Sequence, residues 1–439
     1  MLDLRIDFQR LRHSRPAELA RRALYRWMAG ADGWPVVFRR PGPGEEVPPG
    51  ASPHLYVHLP FCRELCPHCP YNKTLYEARQ HEAYGRALRR ELEGWIARAG
   101  THRARSLYFG GGTPSATPDL VELAIDLVRP RLEPDAEIGV EVHPRDATPP
   151  LLDRLRRAGV NRVSLGVETL RPDLLKLLGR SYDPAQALDS LRAARAARFP
   201  FVDANLIYGI PGQSDGDPAS DAEVLLGEGV GQISAYPLFT FLHTPYGRRV
   251  AEHRFPIIGD RLRVRSQRLL SRVCREGGLE RTSVWSFTRR GAAPYSTVTH
   301  EDYVGFGAGA GSKVGGVFWF NTFSVPAYVE SRVHRPALRM EAGDRLRRAH
   351  WLYWRIYRLE IDGGDYHALF GRELEDDYGA FLRLLRLSGM ARRTPPRWRL
   401  TERGAVWVHR LQCLFSLTWI DRLWTRCRDE PWPEEVVLA

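Results

Sequence analysis

Three cysteines stand within eight residues of one another: Cys62, Cys66 and Cys69, in FCRELCPHCP. The other three, Cys274, Cys413 and Cys427, are single and far apart. A lone thiol is ordinarily a small buried apolar side chain, and these three are read as core. The group of three needs another explanation. Without a dense cysteine framework, clustered thiols point to a metal or redox site before a disulfide. A closed zinc site takes four ligands, usually as two separated pairs. No second pair is present, although His68 sits inside the loop. Thiolates at spacings of four and three suit a cubane iron–sulfur cluster with one iron left open. An open metal position is a place for chemistry.

Such a loop must be held by regular elements. From residue 54 the chain alternates β-rich and amphipathic runs. The candidate strands are Leu55–Leu59, Ser106–Phe109, Glu137–Val142, Arg162–Val167, Phe201–Ile207 and Gln232–Tyr236. Helical runs such as His81–Ala97, Leu151–Ala158 and Ala185–Ala197 lie between them. That order predicts parallel βαβ units with right-handed crossovers, in a sheet that curls toward a barrel. Each unusual segment follows a strand: FCRELCPHC the first, GGGTPS the second, HPRD the third, ETL the fourth, YGIPGQS the fifth and PLFTFLHTP the sixth. Ligands in parallel α/β folds bind beyond the carboxyl ends of the strands, so six motifs should face one mouth.

The expected fold class is α/β, a partial (β/α)6 barrel with a smaller helical, winged-helix-like C-terminal domain. Residues 1–50, with RRPGPGEEVPPGASP at their end, read as a leader and linker. Residues 51–335 form the barrel and its extension, and 336–439 the C-terminal domain. The latter has helices over Arg345–Leu359 and Asp376–Ser388, a hairpin in MARRTPPRWRLT and a long helix from Glu402. In the leader, Leu19, Ala20, Ala23, Leu24, Trp27 and Met28 make an apolar stripe beside Arg21, Arg22 and Arg26. Such a helix either packs on the main domain or lies on a membrane surface.

Of 439 residues, 43% are hydrophobic and 26% charged, which excludes a disordered chain, while six cysteines are too few for a disulfide scaffold. No uninterrupted apolar run follows the first charges, so a secretory signal is not expected. The apolar stretch Leu411–Ile420 is about half a bilayer span, bracketed by Arg410 and Asp421. A cytoplasmic protein is expected. Lys and Arg total 64 against 52 Asp and Glu, a net charge of +12. Lys occurs only at 73, 176 and 313, and the arginines are spread along the chain. This pattern does not point to nucleic acid. An anionic substrate or an acidic electron donor, such as a flavodoxin or ferredoxin, accounts for the charge as well.

The runs YVHLPFCRELCPHC, YFGGGTPS, VEVHPR, AGVNRVSLGVETL, LLGRSYD and NLIYGIPGQS, in that order, resemble the radical S-adenosylmethionine (SAM) enzymes. Within them the chain is similar to the oxygen-independent coproporphyrinogen III oxidase family, which includes heme chaperones and some methyltransferases. The resemblance covers residues 51–250 closely and 300–439 more loosely. It implies a [4Fe-4S] cluster on Cys62, Cys66 and Cys69, whose open iron chelates SAM, and a 5′-deoxyadenosyl radical that takes a hydrogen atom from the substrate. It also implies two SAM molecules. Tyr56, Gly111 and Glu141 would serve the first, and His68, Gly112, Thr113, Glu168, Arg180 and Asn205 the second. From the residues alone, the glycines could equally form a tight turn, Glu141 a salt bridge, and Arg180 a solvated helix end. His58 reads equally as a core histidine.

Three departures from the resemblance concern the substrate. The oxidases carry another Cys two residues past the third ligand, where this chain has Tyr71. The heme chaperones carry HNxxYW before the Gly-rich run, where this chain reads PYSTVTHEDYVGFG with His300. Glu168 and Asn205 stand where many relatives have Gln and Asp. Three functions follow as expectations. The first is methylation of a flat hydrophobic or aromatic substrate, such as a tetrapyrrole or quinone, stacked on some of Phe318, Trp319, Phe320 and Phe323, at least half of which are expected to be core instead. The second is oxidative decarboxylation or other modification of a tetrapyrrole. The third is heme carriage without catalysis.

Overall fold

Proline at the first helical turn, where a missing N–H costs nothing, opens most crossover helices. Pro118–Val128, Pro149–Ala158 and Pro184–Ala196 all begin this way. In the last, Asp183 and Gln186 add a reciprocal capping box. Gly159, at φ 102°, ends the second in a left-handed cap. The computed structural model describes residues 14–30, 33–42, 45, 48, 54–256, 258–292, 302–331 and 335–438.

Six parallel strands lie side by side in chain order: β1 (His54–Leu59), β2 (Ala104–Gly111), β3 (Leu132–Val142), β4 (Arg162–Glu168), β5 (Phe201–Tyr208) and β6 (Gln232–Pro237). Each overlaps its sequence-predicted strand. Parallelism puts all six carboxyl ends at one mouth. The strands are buried on both faces, as a sheet wrapped by helices requires. Val57, Phe109, Val140, Val163, Leu165 and Ala204 pack with helix residues Leu88, Leu92, Val121, Ile125, Leu155 and Leu191 in one core.

The sheet continues past the barrel strands to fourteen in all. Beyond β6 come two antiparallel strands, β7 (Leu279–Arg281) and β8 (Ser286–Arg289), β8 being next to β6. On the other flank β9 (Tyr303–Phe306) runs parallel to β1. It is followed by antiparallel β10 (Gly311–Val314), β11 (Val317–Phe320) and β12 (Leu338–Glu341). The edge is closed by Val36–Arg39 and Glu435–Leu438. The segment read as leader and linker thus contains a sheet strand and, before it, the helix Arg15–Ala29.

That helix docks by a face other than its apolar stripe. Ala17, Arg21, Tyr25 and Ala29 are buried, whereas Leu19 and Trp27 remain 68% and 49% exposed. Tyr25 decides the orientation by stacking on Trp419 at 3.5 Å between ring centroids.

The C-terminal unit has its own core of Ile361, Tyr366, Leu374, Leu382 and Trp398. Its helices Asp344–Tyr357, Gly363–Phe370 and Leu374–Leu387 surround a small sheet of Glu360–Asp362, Arg397–Leu400 and Ala391–Thr394. The long helix Glu402–Asp429 then runs back toward the barrel. Cys413 and Leu417 pack with Phe241, and Leu423 and Cys427 with Phe38. Cys274, Cys413 and Cys427 are buried, as read from the sequence. Among the described residues no helix is long and apolar enough to cross a membrane.

Candidate functional site

β1 delivers the chain into the thiol loop. Phe61–Cys62 makes a short parallel ladder with Thr74–Leu75 that pinches the loop at its neck. The Tyr76 N–H donates to the Cys62 carbonyl at 2.9 Å, and the Cys69 N–H to the Cys66 carbonyl at 3.4 Å. Lys73 Nζ donates to the Cys69 carbonyl at 2.6 Å. From β2, the N–H groups of Gly112 and Thr113 donate to the Leu59 and Phe61 carbonyls, each at 2.8 Å. A Cβ on Gly112 would stand 2.6 Å from the Pro60 backbone, and one on Gly111, at φ 115°, 2.7 Å from the His58 ring. Only glycine lets β2 end so close to the loop.

Thr113 Oγ1 donates to Cys62 Sγ at 3.4 Å. Burial pushes the Cys62 thiol up to about 12 against that bond, and Cys69 and Cys66 add to the rise. Burial also raises Cys66, with Arg180 opposing. Loading a metal must therefore release protons. Among the described residues no three His, Cys, Asp or Glu side chains converge on a single-ion site. Cys66 and Cys69 are close enough to Cys62 to raise it, and a set of three thiols fits an iron–sulfur cluster.

Beneath the loop, Tyr56 Oη lies 2.9 Å from His58 Nδ1, and His58 Nε2 lies 2.7 Å from the Asn72 carbonyl. A carbonyl only accepts, so Nε2 carries the proton and Nδ1 accepts from the tyrosine. Burial holds His58 down at about 4. It is a neutral link between β1 and the loop, which settles its two readings in favour of structure.

The predicted SAM-binding residues come from successive strands and the loops that follow them, and Arg180 and Glu168 lie near enough to act on the Cys66 thiol. Glu141, on β3, accepts from Tyr108 Oη at 2.7 Å. Burial raises its carboxyl to about 7, opposed by the Tyr108 and Gly111 hydrogen bonds. Glu168 ends β4 at φ 64°, where the β4–β5 register shifts. A non-glycine residue is uncommon there. Its carboxylate pairs with Arg180, which follows the next short helix. Burial pushes Glu168 up while Arg180 pulls it down. Asn205, on β5, donates through Nδ2 to Ser164 Oγ at 2.9 Å.

Three buried polar atoms in this group have no partner among the described residues: His68 Nδ1, Arg180 Nε and Asn205 Oδ1. Burial holds His68 down at about 3, so the ring is neutral near pH 7. Unpaired donors and acceptors beside three thiols fit a polar ligand rather than an apolar one.

Other mouth residues were not singled out from the sequence. Asp421 and Arg428, from the long helix, reach the loop's far end. Arg428 donates to the Pro70 carbonyl at 2.7 Å, and Asp421 contacts His243. Trp424 lies 5.9–6.3 Å, between ring centroids, from Tyr71, Phe241, His243 and Phe323. Tyr71 is 53% exposed yet stands within the mouth. The surrounding protein raises its phenol, and Glu141, Cys69 and Glu168 add to that. His143, in HPRD, has its Nε2 3.6 Å from Glu64 Oε1. The aromatic residues offered as a stacking surface are mostly core. Trp319 packs with the barrel, and Phe318, Phe320 and Phe323 pack around Phe38 and Leu338. Phe318, Trp319 and Phe320 lie on the strand at the sheet flank, whereas Phe323, beyond that strand, reaches Trp424. His300 lies outside the described residues.

Residues 56–225 match the Radical SAM superfamily. The chain is 31% identical to Heme chaperone HemW of Mycobacterium tuberculosis over 308 residues, 67% of this chain and 79% of that one. To HemW of Bacillus subtilis it is 28% identical, covering 63% and 74%. To the oxygen-independent coproporphyrinogen III oxidase of Pseudomonas aeruginosa it is 27% identical, covering 82% and 85%. Among solved structures, coproporphyrinogen III oxidase (HemN) of Escherichia coli shares the fold, with a TM-score of 0.71 over 84% of this chain and 90% of that one, at 22% identity.

Proposed function

We propose a function on one premise: this chain belongs to the HemN/HemW-like family of radical SAM proteins. The family implies a [4Fe-4S] cluster and SAM. When bound, they supply a 5′-deoxyadenosyl radical that takes a hydrogen atom from a substrate. In our reading Cys62, Cys66 and Cys69 hold the cluster, with Thr113 and Lys73 steadying the first and third through the bonds described. Glu141 takes the ammonium of a first SAM molecule, beside Tyr56 and Gly111. Arg180 and Glu168, with His68, Asn205, Gly112 and Thr113, line a second. The observation that carries this reading is the set of unpartnered buried polar atoms on His68, Arg180 and Asn205 beside the thiols. A chain that kept the loop only as a scaffold would gain by filling those positions with apolar or paired groups.

The substrate is a flat hydrophobic or aromatic molecule, a tetrapyrrole among the candidates, received against Tyr71 and Trp424 at the mouth. A low-potential donor such as a flavodoxin or ferredoxin supplies the electron. Methyl transfer from the second SAM and oxidative modification are its two enzymatic outcomes. Heme carriage is a separate reading, supported by the 31% identity to a protein named a heme chaperone.

Product analysis separates them. The cluster-loaded protein is incubated anaerobically with dithionite, SAM and candidate tetrapyrroles. 5′-Deoxyadenosine with S-adenosylhomocysteine indicates transfer, and 5′-deoxyadenosine alone indicates oxidation. Neither product, with tight heme binding, rejects both enzymatic readings.

A further inference from the structure

A cavity of about 510 Å3 lies away from the thiol loop, where β7 meets the C-terminal unit; its wall carries Arg275, Arg281, Arg399 and Glu402, with Leu359 and Leu400. Its size is that of a small-molecule site. The wall's two carboxylates are already taken. Glu402 pairs with Arg281 at 3.1 Å, and Glu280 with Arg290 at 2.8 Å.

Beyond those pairs, Arg281 keeps one free donor, and two further arginines have no counter-charge among the described residues. Arg281 is 7% exposed. Its Nη1 donates to the Val284 carbonyl at 2.9 Å, while its buried Nη2 has no partner among the described residues. Arg275 uses its Nε on the Ser271 carbonyl of its own helix, at 3.4 Å. Neither Arg275 nor Arg399 has an ion pair among the described residues. The helix Glu402–Asp429 begins at the same wall, with the positive end of its dipole there. The wall thus carries four guanidinium groups, Arg275, Arg281, Arg290 and Arg399, against the two carboxylates, a surplus of positive charge that an anion would offset. The apolar part of the wall, Leu359 and Leu400, suits an organic body.

We propose that this cavity binds a small phosphorylated organic anion of nucleotide size, with its phosphates on Arg275, Arg281 and Arg399 and its organic part against Leu359 and Leu400. The proposal does not depend on the cluster chemistry, because no thiol-loop residue lines the cavity.

Calorimetric titration of the cluster-loaded protein with ADP, and separately with inorganic pyrophosphate, tests it. Saturable binding of either probe is expected. The double variant Arg275→Ala/Arg399→Ala should weaken it at least about tenfold, since two charge-assisted contacts are lost. Both side chains are exposed, and circular dichroism checks that the variant is folded. If the double variant fails to fold, Arg399→Glu on its exposed hairpin strand repeats the measurement with the same expectation. No binding of either probe at millimolar concentration overturns the proposal, as does equal binding by folded variant and parent.

Discussion

Asp421 Oδ1 lies 2.8 Å from His243 Nδ1, while the opposite ring nitrogen lies 3.1 Å from the Pro70 carbonyl, one residue past the last clustered cysteine. The backbone N–H of Leu242 adds a second bond to Asp421, at 3.0 Å, and that of His243 a third, at 3.4 Å. One carboxylate on the final helix thus fixes both the loop after β6 and the exit of the thiol loop.

Asp421→Ala should loosen that clamp. It removes the acceptor from buried donors, a loss of roughly 2 kcal/mol, read as a lower thermal midpoint and faster proteolysis after Pro70. Burial raises the Asp421 carboxyl, but the bonds from His243 and Leu242 outweigh it and hold the group below the usual carboxylate value. A lowered value means the contribution is complete above about pH 4, the unfolded-chain value. It is lost only on further acidification. The parent should therefore keep the clamp at pH 5, and an unchanged midpoint in the variant would count against it.

Glu141 has the opposite sign. Its folded value of about 7 lies above the unfolded value of about 4.3. The folded chain holds the extra proton between the two, so its contribution to stability falls as pH rises through that window. Pairing with an ammonium needs the ionised form, so SAM binding should tighten as pH rises through 7. Glu141→Gln should flatten that profile and weaken binding about tenfold at pH 8, the loss of one charge-assisted bond. Asp203 is also raised to about 7, by burial, so the comparison of variant with parent isolates Glu141.

Arg180→Ala should leave the iron content intact while weakening SAM binding about tenfold or more. Arg180 pairs with Glu168 and leaves Nε free beside the thiols, yet it is not a cluster ligand. Unchanged affinity would remove it from the site.

Trp424→Ala removes the ring that Tyr71, Phe241, His243 and Phe323 share. A half-buried indole of this kind is worth about 2 kcal/mol in stability. Heme or porphyrin affinity, followed by absorbance, should fall with it. Equal affinity in a folded variant would move the substrate away from the Tyr71–Trp424 side.

The barrel was legible because each strand is a local pattern. The segments that follow β1–β6 then share a mouth by parallelism alone, so the cysteine loop and Glu168 could be grouped without knowing any distance, whereas Glu141 and Asn205, inside β3 and β5, were singled out by the family resemblance. The sheet edge was not legible. Val36–Arg39 pairs with Glu435–Leu438 across nearly the whole chain, and no local signal records such a partner. The same holds for Asp421 and His243, which are 178 residues apart. On the final helix, Asp421, Trp424 and Arg428 look like ordinary amphipathic spacing. The leader helix misled for a related reason: its stripe satisfied the helical period, but Tyr25 and its stacking on Trp419 chose the buried face.

The central claim is that the three-thiol loop initiates radical chemistry. Its most direct test is the amount of 5′-deoxyadenosine formed from SAM by the anaerobically reconstituted, dithionite-reduced protein, set beside Cys66→Ala treated identically. The account predicts SAM-dependent 5′-deoxyadenosine from the parent, and neither product nor cluster absorbance from the variant. No product from a parent carrying its full cluster, or equal product from both proteins, would contradict it.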